Sequence, residues 1–262
     1  MELRPLEGFQ RVDAEGYLVN EARRENVRPP WDEALAAAVK AYRDHLREDL
    51  LAVYLRGSVA RGHAVAGVSD LDTLAVVHRV PPGWHERWGR RVEENLGERF
   101  RSFCTGVDLR VVPREPLPRW ARFHVKTQAV CVFGEDLAAD LPPVRPGPDA
   151  ILFAPRILAR LARARARLAA GERVHLSRLL KASLRAGFEC LVLLGPRPRY
   201  TRDLYRCAET LWERFPAEEP FLRRALACAL DPARRGGDDP SKLLAGCEDL
   251  LARLLAGHNP GS

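Results

Sequence analysis

Apolar positions along the chain change period several times, and each change marks an element. The segment EALAAAVKAYRDHLRE repeats its apolar residues at the 3.6-residue spacing of an amphipathic helix, and Asp32 just before it is placed to cap that helix. The short run Leu50 to Leu55, LLAVYL, is apolar throughout and ends at Gly57-Ser58, which predicts a buried strand. A glycine-dotted loop follows, and LDTLAVVHR predicts a second strand. Pro81-Pro82-Gly83 breaks the chain before a helix over roughly 84–100, and VDLRVVPRE supplies a third strand checked by Pro113 and Pro116. The stretch from Trp120 to Phe133 predicts one more helix and one more strand. Near the start, FQRVDAEGYLVNE reads as a hairpin with Glu15-Gly16 at its turn.

Around residues 140–149 the pattern shifts to DLPPVRPGPDA, a proline-rich connector of the kind found between domains. Beyond it every segment has a helical period: roughly 151–170, 174–194, 200–215, 217–231 and 240–257, punctuated by Gly195-Pro196, Phe215-Pro216 and Gly236-Gly237. The expected architecture is α+β: a small mixed sheet with flanking helices over residues 1–145, including an N-terminal extension over 1–30, then an all-α helical bundle over 150–258.

Composition changes this picture little. The chain has 262 residues and a formal net charge of +7, drawn mostly from arginine, which suits phosphate-rich or acidic partners without selecting one. No apolar run approaches the roughly 20 residues of a membrane span. The first ten residues lack the order of a secretory signal. The six cysteines show no metal or disulfide spacing, so they read as reduced thiols of a cytoplasmic protein with no membrane partner.

The chemistry concentrates between Leu50 and Val77. One strand delivers Gly57-Ser58, and a second opens with Asp70-Leu71-Asp72. Glycine lets a backbone approach phosphate closely. Ser58 can donate its hydroxyl and cap a short helix starting at Val59, whose N–H groups favour anions. Asp70 and Asp72, two apart on a strand, share a face and present the oxygens that Mg²⁺ prefers. Arg61 lies three residues after Ser58, in reach of a phosphate or simply solvated. Arg56 reads as a surface or ion-paired residue, and His63 as an ordinary loop histidine.

The stretch GSVARGHAVAGVSDLD resembles the signature of the DNA polymerase beta-like nucleotidyltransferase superfamily: Gly-Ser, a spacer, then Asp-x-Asp. The resemblance implies a small mixed sheet flanked by helices and a third carboxylate on a neighbouring strand, a position that Asp108 fits. It implies that Asp70 and Asp72 hold Mg²⁺, two ions in all, and that Asp108 completes the second metal site or serves as general base. The α/β domain followed by helices is similar to the aminoglycoside nucleotidyltransferases. That likeness is clear over about residues 45–112 and architectural beyond. GYLVNE and YTRDLY also look like segments of uncharacterised bacterial nucleotidyltransferase-domain proteins. One departure stands out: spectinomycin and streptomycin enzymes of this kind carry glutamate at the third position, where this chain has Asp108.

The implied reaction transfers a nucleoside monophosphate, AMP from ATP, to a hydroxyl of a small polar acceptor. Two rivals remain: the same chemistry on RNA or a protein side chain, and a weakly active nucleotide-binding, antitoxin-like regulator. In the helical half, Arg199 and Arg202 flank Tyr200-Thr201 at an expected helix start and are candidate phosphate ligands, with Thr201 equally an N-cap. Arg178, Lys181 and Arg185 share a face. Arg156, Arg160, Arg163 and Arg167 form a stripe that reads as solvated. Glu189, in GFECLV, is the reserve carboxylate should Asp108 have no catalytic part.

Overall fold

The computed structural model describes residues 4–5, 7–231 and 238–256. Contacts divide the chain into two units, one of Leu18–Val144 and one of Met1–Tyr17 with Arg145–Ser262. The Gly236-Gly237 break expected from the sequence lies outside the described residues.

In the first unit, α1 (Trp31–Leu46) presents Ala34, Ala38, Tyr42 and Leu46 on one buried face, the spacing its sequence period requires. Its N-cap position is Pro30, so Asp32 sits inside the first turn. There its charge favours the helix N-terminus without capping it. The strands are β1 (Leu50–Arg56), β2 (Leu71–Val77), β3 (Val107–Pro113) and β4 (Ala129–Gly134). Among the described residues they form one sheet in the order β3-β2-β1-β4. β1 runs antiparallel to β2 and β4, while β2 and β3 are parallel. The parallel pair needs a crossover, which α3 (Arg90–Arg99) and the wide helical turn Trp84–Gly89 provide.

Alternation along the strands sorts the core into two layers. Val53, Leu55, Leu71, Ala75, Val77, Leu109 and Val111 pack with α1 and the crossover. Ala52, Tyr54, Leu74, Val76 and Val112 face the other way, toward Ala121 and Val125 of α4 (Arg119–Thr127). Glu93 of α3 accepts the amide of Leu109 (2.8 Å), occupying a backbone donor of β3 that would otherwise lie open along the sheet edge.

The second unit holds α5 (Ile157–Ala169), α6 (Leu176–Phe188), α7 (Leu204–Arg214), α8 (Glu219–Leu230) and α9 (Pro240–Ala256). Their apolar stripes merge in a single core that includes Ile157, Leu161, Leu180, Leu184, Leu211, Leu226, Leu244 and Leu251. The arginine stripe of α5 is exposed, and Arg167 pairs with Glu172 at 2.7 Å.

The N-terminal segment, expected with the sheet, divides at Tyr17, and its first part packs on the helical unit. Gln10 donates its amide to the Tyr200 carbonyl (2.8 Å), and Thr201 donates its hydroxyl to the Gly8 carbonyl (3.0 Å). Phe9 stacks on Phe188. The hairpin reduces to a turn in which the Asp13 carboxylate accepts the amides of Glu15 and Tyr17, flanked by isolated bridges rather than strands. Thr201 is not the cap of α7. Asp203 is: it accepts the Arg206 amide at 3.0 Å, while its other oxygen takes the Glu7 amide at 2.9 Å.

Glu189 follows α6 in a wide helical turn, Glu189–Leu193, and is buried. Its two oxygens accept the amides of Leu152, Phe153 and Ala154, each at 2.8 Å. Burial raises its pKa, and the three amides offset part of that rise. This carboxylate is therefore committed to the chain segment ahead of α5, which removes it as a reserve catalytic group. Glu189→Ala would leave three buried or half-buried donors unsatisfied at about 1–3 kcal/mol each. Thermal unfolding should show Tm lower by roughly 6 °C or more, taking at least 2 °C per kcal/mol. An unchanged Tm would contradict the capping role.

Candidate active site

The upper end of the sheet carries its polar residues, and strand register decides which of them meet. Arg56 is the last residue of β1 and pairs across the antiparallel ladder with Asp72. Asp72 pairs across the parallel ladder with Asp108. All three share the sheet face of Tyr54, Leu74 and Val112, just past the point where α4 covers it. The result is a lateral row of one cation and two anions on three neighbouring strands.

The contacts within the row are short. Arg56 reaches Asp72 Oδ1 at 3.1 Å and Asp108 Oδ2 at 2.8 Å through the same terminal nitrogen. Arg110, two residues beyond Asp108 on the same strand face, grips that carboxylate with Nε at 3.0 Å and a terminal nitrogen at 2.9 Å. The side chains of Arg56, Asp72 and Asp108 are 12%, 17% and 14% exposed, so the row is largely withdrawn from solvent. Burial works against the charge on Arg56, but Asp72, Asp108 and Asp70 together raise its pKa above the ordinary arginine value. Its Nε is buried without a hydrogen-bond partner.

A second lock holds the row from behind. Thr73 points to the opposite face and donates its hydroxyl to the Asp108 carbonyl at 3.0 Å. Tyr42 of α1 brings its hydroxyl within 2.9 Å of Thr73 Oγ1 and 3.1 Å of the Arg110 carbonyl. Burial pushes the Tyr42 phenol well up, so it stays neutral.

Gly57 begins α2 (Gly57–Arg61) with φ +83°. A Cβ at this residue would lie 2.6 Å from Asp72 Oδ2, so glycine is needed both for the backbone conformation and for the approach of the carboxylate. The helix starts two residues earlier than expected, which puts Ser58 inside its first turn; no side chain caps it. Arg61 ends α2 and directs its Nε to the Gly57 carbonyl at 3.3 Å. Asp70 is exposed immediately before β2, and its charge is felt by Arg56. His63 is an exposed loop residue.

The structure thus gathers Gly57, Ser58, Arg61, Asp70, Asp72 and Asp108 at one end of the first unit. Arg199 and Arg202 belong to the second unit, where the Arg199 guanidinium stacks 4.0 Å over the Phe9 ring. Sequence reasoning undervalued Arg56 and missed Arg110. The available signal was parity: each stands two residues beyond a position on the Tyr54 or Asp108 face, at the strand ends that carry the carboxylates.

Among the described residues, no three His, Cys, Asp or Glu side chains converge into a ready metal cage. The residues nevertheless fit a single Mg²⁺. Asp70 and Asp72 offer oxygens at the head of β2, the missing Cβ of Gly57 lets Asp72 Oδ2 pack over that residue, and such an ion ordinarily completes its shell with water and substrate phosphates.

This is the nucleotidyltransferase fold: a small mixed sheet with flanking helices, its Gly-Ser turn and paired aspartates at one end, followed by helices. A spectinomycin adenyltransferase, AAD(9), from Enterococcus faecialis, solved with ATP and spectinomycin, matches with a TM-score of 0.56 at 12% identity, over 84% of this chain and 99% of that one. The MntA–HepT toxin–antitoxin structure aligns over 53% of this chain and 94% of its own, at 16% identity and a TM-score of 0.29, too low to carry an argument. The same holds for the tri-AMPylated Shewanella oneidensis HEPN toxin with its MNT antitoxin, at 17% identity over 53% of this chain and 93% of that one, with a TM-score of 0.30. No protein-family model and no curated protein matches the sequence.

Gly57→Ala tests the close approach at the head of α2. The left-handed backbone alone costs a residue with a Cβ about 1–2 kcal/mol, and the contact with Asp72 adds to it. Thermal unfolding should register the loss, whereas a wild-type Tm would show that the turn has room to spare.

Proposed function

We propose that the chain is a nucleotidyltransferase that moves AMP from ATP to a hydroxyl of a small polar acceptor, releasing pyrophosphate. The observation that carries this reading is the lateral row of Arg56, Asp72 and Asp108 beside Gly57-Ser58, with Asp70 immediately before the strand of Asp72. The fold shared with an adenyltransferase solved with ATP and a small-molecule acceptor supports it.

Each residue then has a task set by charge and position. Asp70 and Asp72 would hold Mg²⁺, whose chemistry there is to neutralise the triphosphate and favour pyrophosphate departure. Ser58 and Arg61, on the turn beside Asp72, would donate to phosphate oxygens. Transfer requires the acceptor oxygen to bond the α-phosphorus while the bond from that phosphorus to the bridging α,β-oxygen breaks. The acceptor's proton must also go to a base. Asp108 is the carboxylate assigned that proton, and Arg56 and Arg110 fix its direction. Arg199 and Arg202 are the helical unit's candidate phosphate ligands. Against a purely binding, regulatory role stands the cost of placing three aspartates where a triphosphate would lie; a protein that only bound the nucleotide would gain from fewer.

The direct test incubates the protein with ATP, Mg²⁺ and a panel of hydroxyl-bearing acceptors, with RNA and protein arms, and reads pyrophosphate and adenylylated product by mass spectrometry. A product in any arm identifies the acceptor class; ATP left intact in all arms would contradict the reading. Asp70→Ala and Asp72→Ala should abolish pyrophosphate release while circular dichroism stays native. Asp108→Asn should keep nucleotide binding but lose transfer by about 100-fold or more, the usual scale for losing a base. Ser58→Ala should weaken the binding of a non-hydrolysable ATP analogue by about 0.5–3 kcal/mol, measured by calorimetry; an unchanged Kd would remove Ser58 from the phosphate site.

A further inference from the structure

We propose that Arg56 stands where a second divalent cation would bind, so that the site takes one metal ion rather than two. The inference rests on the transfer reading above and deepens it.

Neighbouring strands bring Asp72 and Asp108 side by side, and a cation shared between them is what such a pair needs. In this chain that cation is a side chain. One terminal nitrogen of Arg56 lies 3.1 Å from Asp72 and 2.8 Å from Asp108, inside the gap a bridging ion would occupy. Pairing with Asp72 in the β1–β2 ladder fixes the backbone of Arg56 beside both carboxylates, and two charge-assisted contacts hold its guanidinium between them. Arg110 then covers both oxygens of Asp108 from the other side, leaving that carboxylate few lone pairs for a metal. Three guanidinium nitrogens thus surround Asp108. Asp72 meets Arg56 through Oδ1, while its other oxygen lies over Gly57; that oxygen and the carboxylate of Asp70, just before β2, would serve one ion. Arg56 is a positioning residue in this account: a permanent positive charge that aligns Asp72 and Asp108 before any metal arrives.

Metal stoichiometry reads this without turnover. Mn²⁺ is titrated into wild-type protein saturated with α,β-methylene-ATP and followed by electron paramagnetic resonance, with the nucleotide–Mn²⁺ complex alone as background. Two ions in such a site would lie about 3.5–4 Å apart and be spin-coupled. We expect one uncoupled Mn²⁺ per wild-type chain and the same count in Asp108→Asn and Arg56→Lys, which leave Asp70 and Asp72 in place and, for the lysine, keep the charge. Arg56→Met should admit a second, coupled ion. A coupled pair in the wild type, or loss of the ion in Asp108→Asn, overturns the proposal even if Arg56→Met fails to fold. No protein-dependent Mn²⁺ binding at all would instead overturn the metal-dependent transfer reading on which it stands.

Discussion

Two aspartates sit next to each other on parallel strands, and the register that puts them there fixes most of what surrounds them. At the roughly 5 Å spacing of laterally paired side chains and an effective dielectric near 20, their mutual repulsion is about 3 kcal/mol. Left alone, that pair would favour a slipped register or protonation of one partner. Arg56 from the third strand and Arg110 from the same strand turn repulsion into an ordered row. Slippage of β3 by one residue would turn Asp108 into the apolar layer under α1 and α3, so the core and the ion row specify the same alignment.

Features farther away act on this row. Tyr42 and Thr73 tie α1 to the backbone of β3 at Asp108 and Arg110, so the helix on one face fixes the height of side chains on the other. Glu93 holds the outer edge of β3. Gly57 lets the first strand turn away without striking Asp72. The helical unit is organised on the same principle by different parts: Glu189 gathers three amides, and Asp203 ties the start of α7 to the segment around Glu7. In both units a buried or half-buried carboxylate joins chain segments distant in sequence.

Much of this was legible in the sequence because periodicity is a local signal. The four strands and the helices of the second unit lie close to where the apolar spacing put them, and strand register sets Asp72 beside Asp108, with Gly57 against Asp72. What was not legible depends on partners far along the chain. Thr201 looks like a cap until the Gly8 carbonyl takes its hydroxyl, and Glu189 looks like a free carboxylate until three amides from residues 152–154 surround it. Arg56 could be recognised as ion-paired, but only the pairing of β1 with β2 and of β2 with β3 shows that it serves two aspartates at once.

Everything proposed for the site depends on where a nucleotide and its cation settle. The most direct measurement is a crystal structure with α,β-methylene-ATP and Mn²⁺, collected at a wavelength where manganese scatters anomalously. An anomalous peak is expected within coordination distance of Asp70 and Asp72, with triphosphate oxygens completing the shell beside Ser58. A nucleotide bound elsewhere on the chain, or manganese density away from both aspartates, would contradict it.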